Sequence, residues 1–388
     1  MKPANRIAAQ KPYFFATLKN IIQTLKEEGK DVIRMDIGSP DLPPADFIIE
    51  TMVEAARNPA NHGYTAYGGT QAYRKAAATY YANRFNVALD PRREVVGLIG
   101  SKEGLFTLSQ ALLNPGDIAL VPDPGYGTYK AGAEIAGGSV YRMPLLSENN
   151  FLPDLQAIPA DVLTKAKVLW LNYPNNPTGA TATYAFFEEA VAFAKQHDLI
   201  IAHDTPYADV CYDGYRAPSL LEIEDAKEVA VEFYSLSKVY NMAGWRLGMA
   251  VGNADVVGYI ENYKSQVDTS HFEPILAAGI QALTADQSWI DARNEIYQQR
   301  RDAILRRLPE LGLHAHAPKA ALYIWAKLPD GLDDREYCTR ALHEAGVSIT
   351  PGSVYGEGGK GYVRMSICSP LEEIASAVDR LVEWSQKT

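Results

Sequence analysis

Five short apolar runs constrain this chain more than any other feature, because none alternates with polar residues and each ends in turn-forming or charged residues. They are Val95–Ile99, Ile118–Val121, Val168–Leu171, Leu199–Ala202 and Val229–Phe233. Runs of this kind fit strands buried on both faces. Helical patterns lie between and around them. Thr70–Phe85 is rich in alanine and aromatics at helical spacing, and Leu105, Leu108 and Leu112 read as one face. Phe186, Phe187, Ala190, Val191 and Ala194 form another. Strands separated by amphipathic helices predict an α/β fold, with a mostly parallel sheet flanked by helices.

A length of 388 residues exceeds the usual single core, so one large and one smaller domain are expected. From about Ala285 the pattern changes to a long Arg-rich helix at Trp289–Arg307, a strand at Ala321–Ala326, a helix at Arg335–Ala345 and a strand at Gly361–Ile367. This predicts a smaller α+β domain over 285–388, a large domain over 46–284, and a segment 1–45 that serves as an N-terminal arm and completes the smaller domain. Within that segment, Leu18, Ile21, Ile22 and Leu25 share a helical face that Gly29 terminates.

The net charge of −10, without a basic cluster, argues against nucleic acid and anionic membranes as partners. The N-terminus has no apolar secretory core, and no apolar stretch approaches the span of a bilayer. Cys211, Cys338 and Cys368 are widely separated and lack ligand-like spacing. Reduced thiols in a cytoplasmic protein, with no metal site, are therefore expected.

In a parallel α/β sheet, ligands sit beyond the carboxyl ends of the strands. The residues that follow the five runs are Ser101-Lys102-Glu103, Asp123-Pro124-Gly125-Tyr126, Asn175-Asn176-Pro177-Thr178-Gly179, Asp204-Thr205-Pro206-Tyr207 and Ser235-Leu236-Ser237-Lys238. One ligand site would collect all five.

The last of these continues as Ser235-Leu236-Ser237-Lys238-Val239-Tyr240-Asn241-Met242-Ala243-Gly244-Trp245-Arg246-Leu247-Gly248. Its S-x-S-K, followed by an arginine eight residues on, resembles the fold type I pyridoxal-phosphate enzymes, specifically the class I/II aminotransferases. The resemblance runs from Asp36-Ile37-Gly38 to the segment around Arg364. It implies a sheet of the seven-stranded kind and pyridoxal 5′-phosphate as cofactor. The reaction it implies moves an amino group between an amino acid and a 2-oxo acid through a Lys238 Schiff base. Lysine suits that task where desolvation or nearby positive charge discourages its ammonium form.

The resemblance also assigns roles. Ser235, Ser237 and Arg246 would hold the cofactor phosphate, with Ser101 and Lys102 adding N–H groups at a helix start; Gly-Ser-Lys also reads as a plain turn. Asp204 would face the pyridine nitrogen, although an aspartate at a strand end is often a helix N-cap. Tyr207 and Asn176 would bond the ring hydroxyl, and Tyr126 would stack on the ring; Asn-Pro-Thr-Gly is otherwise a tight turn. Arg364 would fork onto the substrate α-carboxylate beside Gly38 and Asn176, its other reading being a surface ion pair. Tyr64 would reach the phosphate of a neighbouring subunit, implying a homodimer, and is otherwise one tyrosine among 23.

Within the class, Gly100–Gly104, Pro122–Tyr126, Leu171–Gly179 and Tyr240–Met242 resemble the LL-diaminopimelate aminotransferase group. The same stretches occur in aspartate-, alanine- and aromatic-type relatives. Tyr67 stands where plant-type members carry an acidic residue, Gly127 replaces a common proline, and Thr205-Pro206 and Gln266–Phe272, with His271, also depart from the pattern. A distal substrate pocket is expected from Tyr13, Glu103, a partner chain's Tyr67 and Gln266–His271. Glu103 equally reads as a helix-start acid favoured by the dipole. Two other functions share the motif: a C–S lyase or decarboxylase on the same cofactor, and a non-catalytic cofactor-binding regulator. Product analysis separates the first. The second needs an added helix-turn-helix that the first 30 or so residues do not supply.

Overall fold

A computed structural model describes residues 1–10, 12 and 14–387. Its strands are β1 (Ile33–Arg34), β2 (Val95–Leu98), β3 (Ile118–Asp123), β4 (Ser139–Pro144), β5 (Ala166–Asn172), β6 (Ile200–Asp204), β7 (Ala230–Ser235), β8 (Gly248–Gly252), β9 (Tyr323–Lys327), β10 (Val347–Ser348), β11 (Thr350–Pro351) and β12 (Tyr362–Ser366). A seven-stranded sheet has the order β2-β8-β7-β6-β5-β3-β4. Every pairing in it is parallel except the two made by β8, which runs antiparallel to β2 and to β7.

Strand direction positions the site. Because β8 opposes both neighbours, β2 points the same way as β7, and all five strands expected from the apolar runs end on one edge. The register pairs Ser235 with Gly248 and Leu98 with Gly248, so β8 begins where the others finish. Arg246, just before β8, therefore arrives at the edge from the opposite direction.

The apolar runs are buried as their composition demands. Val95, Leu120, Leu169, Ile201 and Phe233 are fully or almost fully inaccessible, and Trp170 stacks on Tyr129 with ring centroids 4.8 Å apart. Helices close both faces with local stop and start signals. Thr70 caps Gln71–Phe85 by accepting from the Tyr73 amide, and Asn86 ends that helix in the left-handed region. Thr183 and Asp198 do the same for Tyr184–His197. Just before β7, Val229 closes a short helix, Ala226–Val229, rather than opening the strand that its β-branching suggested.

A second core gathers Met35, Tyr297, Ile304, Ile324, Met365, Ile374 and Leu381. It contains the antiparallel sheet β11-β12-β9, and β1 pairs in parallel with β10. Strand β9 begins at Tyr323, two residues later than the apolar run, because Ala321 takes a left-handed φ of 70°. The helix expected over Arg335–Ala345 is α-helical at Asp334–Arg340 and widens to a π turn at Ala341–Ala345. Helix Ser288–Arg307 runs from the large domain's core, which takes Ile290, to this second core, which takes Tyr297 and Ile304.

Candidate active site

Strand β6 delivers Asp204 at its carboxyl end, fully surrounded by protein. Tyr129 donates its hydroxyl to Asp204 Oδ2 at 2.7 Å, while Asp204 Oδ1 is buried with no hydrogen-bond partner. Asp204 caps no helix. Burial pushes its carboxyl up to about 7, against the Tyr129 hydrogen bond that lowers it. Asn172, ending β5, donates to the Asp204 carbonyl at 2.7 Å and accepts from the Asn176 amide at 2.8 Å, which ties the two neighbouring strand ends together.

Lys238 sits in the short helix Leu236–Val239 that follows β7. Its Nζ donates to the Gly38 carbonyl at 2.5 Å. Desolvation, helped by the nearby positive charges of Arg246 and Arg364 and opposed by Cys368, lowers its amine to about 8. Gly38 comes this close because it lacks a side chain: a Cβ there would collide with the Tyr323 hydroxyl. Tyr323 also meets the hydroxyl of Tyr207 at 2.9 Å.

Arg364 projects from β12 and is 3% exposed. Its Nη1 donates to Asn176 Oδ1 at 3.0 Å and its Nη2 to the Asp36 carbonyl at 2.8 Å, while Nε is buried without a partner. The guanidinium carbon lies 3.9 Å from the Tyr323 ring centroid, and Phe15 and Tyr355 flank it more distantly. The surface ion pair that local sequence allowed is not what forms.

A cradle lies at the start of helix Ser101–Leu112. Gly100 precedes it with φ +73°, and a Cβ there would collide with Arg246 Nη2. Arg246 itself holds a left-handed φ of 58°, a conformation that costs a residue with a side chain. Its Nη1 reaches Ser237 Oγ at 3.4 Å, and Ser235 Oγ accepts from the Ser237 amide. Tyr126 is half-buried between this cradle and Asp204, with the Lys102 ammonium 5.8 Å from its ring.

The structure thus gathers Lys238, Asp204, Tyr207, Asn176, Arg364, Gly38, Tyr126, Ser235, Ser237, Arg246, Ser101 and Lys102 along one sheet edge. Tyr64 and Tyr67 lie elsewhere, on the surface, at 93% and 47% exposure. Tyr13 lies outside the described residues. Glu103 turns inward: it accepts from the Ile99 amide and the Thr107 hydroxyl, and pairs with buried Lys264. Buried His271, from the unusual Gln266–Phe272 stretch, contacts the Arg246 carbonyl through Nε2 at 2.7 Å, so this stretch buttresses the cradle. Sequence reasoning missed Tyr129 and Tyr323. A faint signal existed for Tyr129, three residues beyond a strand-end tyrosine.

The sequence signature of aminotransferase class I and II matches residues 30–381. The chain belongs to that family. This aminotransferase is 48% identical over 381 residues to the LL-diaminopimelate aminotransferase of Halothermothrix orenii, covering 98% of each chain. The substrate-bound BacF structure from Bacillus subtilis superposes with a TM-score of 0.96 at 37% identity, over 99% of this chain and 98% of that one. Thermus thermophilus aspartate aminotransferase with maleate gives 0.91 at 29% identity, over 99% of each.

The enzyme is a pyridoxal-phosphate-dependent transaminase. Its residues fit that cofactor. A buried carboxylate oxygen with no partner awaits a donor such as a ring N–H. A glycine-floored helix start beside an arginine and two serines suits a phosphate.

The Lys238 amine makes one expectation sharp. Only its uncharged form has a lone pair to offer an aldehyde. With the amine lowered to about 8, cofactor capture by cofactor-free enzyme accelerates as pH rises and levels off above about 8. Stopped-flow absorbance reads this directly. A rate still climbing towards the ordinary lysine value of about 10 would mean that burial does not tune the amine.

Proposed function

We propose that this aminotransferase moves the amino group of LL-diaminopimelate to 2-oxoglutarate, forming glutamate, as a cytoplasmic homodimer. The full-length likeness to LL-diaminopimelate aminotransferases carries the substrate reading. Exposed Tyr64, Tyr67 and Phe272 support the second subunit as an apolar surface in need of cover, with Tyr64 reaching the partner's phosphate site. The three free cysteines support a reducing compartment.

Bound in the site, the cofactor supplies an aldehyde carbon for amine exchange and a ring that withdraws electrons from the substrate α-carbon. Arg364 binds the substrate α-carboxylate, its guanidinium already aimed by Asn176 and the Asp36 carbonyl. Both amino donor and 2-oxo acid acceptor carry that carboxylate, so one fork serves both halves of the reaction. Lys238 Nζ would take the proton from the substrate α-carbon and hold it on that nitrogen for return to the reacting carbons. Asp204 Oδ1 holds the proton of the ring nitrogen in place. Tyr207, oriented by Tyr323, and Asn176 bond the ring hydroxyl. Ser101, Lys102, Ser235, Ser237 and Arg246 grip the phosphate, and Tyr126 covers the ring.

Purified enzyme incubated with LL-diaminopimelate and 2-oxoglutarate is expected to yield glutamate, and to sediment as a dimer. Absence of glutamate would overturn the substrate assignment; a monomer at assay concentration would overturn the subunit assignment.

A further inference from the structure

Among the buried charges outside the site, Arg293 stands apart. It lies in the first half of helix Ser288–Arg307, with 3% of its surface exposed. Its Nη1 donates to the carbonyls of Lys238 at 2.7 Å and Val239 at 2.6 Å. Its Nη2 donates to the Asp209 carbonyl at 3.0 Å and to Asn294 Oδ1 at 2.6 Å. Asn294 adds a second donor to the Asp209 carbonyl at 3.0 Å. Trp289 and Tyr297, one turn away on either side, flank the guanidinium at 5.8 and 5.6 Å.

The chemistry of these contacts is unusual for a buried arginine. Its Nη donors go to neutral oxygens rather than to a carboxylate, and Nε has no partner among the described residues. Burying a guanidinium that way is costly, and an apolar side chain would pack there more cheaply. What an apolar side chain cannot do is satisfy the carbonyls at the end of the Leu236–Val239 turn. Asp209 lies five residues beyond Asp204 and two beyond Tyr207. One guanidinium therefore clamps the turn bearing Lys238 to the segment bearing Asp204 and Tyr207, and anchors both to the helix leading into the second core.

We propose that Arg293 is a positioning residue for the reaction: it fixes the main chain of Lys238 relative to Asp204 and so sets where the Lys238 amine meets the cofactor and the substrate α-carbon. It touches none of the reacting atoms and acts through the carbonyls of Lys238, Val239 and Asp209. A displaced turn would alter both proton transfer and the electrostatic surroundings of the lysine nitrogen, while leaving Arg364 and carboxylate binding in place.

The test uses holoenzyme of wild type, Arg293→Met and Arg293→Lys. It measures kcat, KM and the pH midpoint at which the visible absorbance of the bound cofactor changes. Arg293→Met is expected to lower kcat about tenfold or more, to keep KM within about threefold, and to move the absorbance midpoint by about half a pH unit or more. Arg293→Lys, with a point charge able to serve one carbonyl at a time, is expected to recover part of both losses. An Arg293→Met enzyme that melts lower but keeps the wild-type midpoint and kcat would reduce Arg293 to a structural role and overturn the proposal. If Arg293→Met fails to fold, Arg293→Lys decides: a shifted midpoint supports the proposal, and wild-type midpoint and kcat overturn it. The inference rests on Lys238 holding the cofactor. Failure of that reading would show separately, as a visible band in Lys238→Ala that titrates like wild type.

Discussion

Lys238→Ala is expected to lower kcat by roughly 10⁴-fold or more, the largest loss any single substitution in this enzyme should produce. The side chain combines two tasks that no neighbour duplicates. In the proposed mechanism it would offer the amine that holds the cofactor between turnovers, and it would carry the proton between substrate and cofactor carbons. Desolvation keeps that amine near neutrality, at about 8, so it can accept a proton under working conditions. Arg246 and Arg364 remain positively charged and cannot substitute for it. The fold should survive, because Lys238 Nζ donates to a single carbonyl, that of Gly38, and its removal ends the cost of burying an amine. Melting temperature should therefore change little while activity collapses, and a small primary amine added to the assay should restore part of the rate. Measured kcat above about a hundredth of wild type would show that another group moves the proton.

That lysine was legible because its signal is local. A strand, two serines and an arginine eight residues on all fall within one continuous segment, and the strand-end rule gathered the other chemically marked turns to the same edge. Where the reading fell short, the missing information was spatial. Strand β4, Ser-Val-Tyr-Arg-Met-Pro, lies at the sheet edge with several residues partly or fully exposed, so it lacks the uniform apolar character of a central strand. Strand β8 is short and bounded by glycines, which hides it as a strand, though it alone brings Arg246 to the site from the opposite direction. Tyr129 meets Asp204 across 75 residues of chain, Tyr207 meets Tyr323 across 116, and Arg293 reaches Lys238 across 55. No motif links such pairs; only the folded sheet does. Glu103 carries two readings, a distal-pocket residue and a helix-start acid; its bonds to the Ile99 amide and buried Lys264 are contacts that neither reading announces.

Asp204→Asn is expected to cost about 10³-fold in kcat, near 4 kcal/mol of transition-state stabilisation, with substrate carboxylate binding little changed. The substitution preserves shape, so the effect isolates charge. In the wild-type site Tyr129 engages one carboxylate oxygen at 2.7 Å and leaves the other, Oδ1, without a partner, the atom proposed to hold a ring-nitrogen proton. An asparagine that keeps the Tyr129 bond through its oxygen must turn its NH₂ towards the ring nitrogen, and a donor facing a nitrogen disfavours a proton there. Without that proton the ring withdraws electrons weakly at the moment the α-carbon gives up its own. Stability should move the other way. The wild-type carboxyl is raised to about 7 by burial, against an unfolded value of about 3.9, so ionised Asp204 destabilises the cofactor-free fold as pH rises through that window. Asparagine removes this cost. Cofactor-free Asp204→Asn should melt at or above the wild-type temperature at pH 8 and show the smallest gain near pH 4. Calorimetry of the two cofactor-free proteins at both pH values, beside their kcat as holoenzymes, tests the pair of opposite signs. A variant that loses stability and activity together would mean that Asp204 is a structural residue, whereas opposite signs mark a charge kept for chemistry at the expense of the fold.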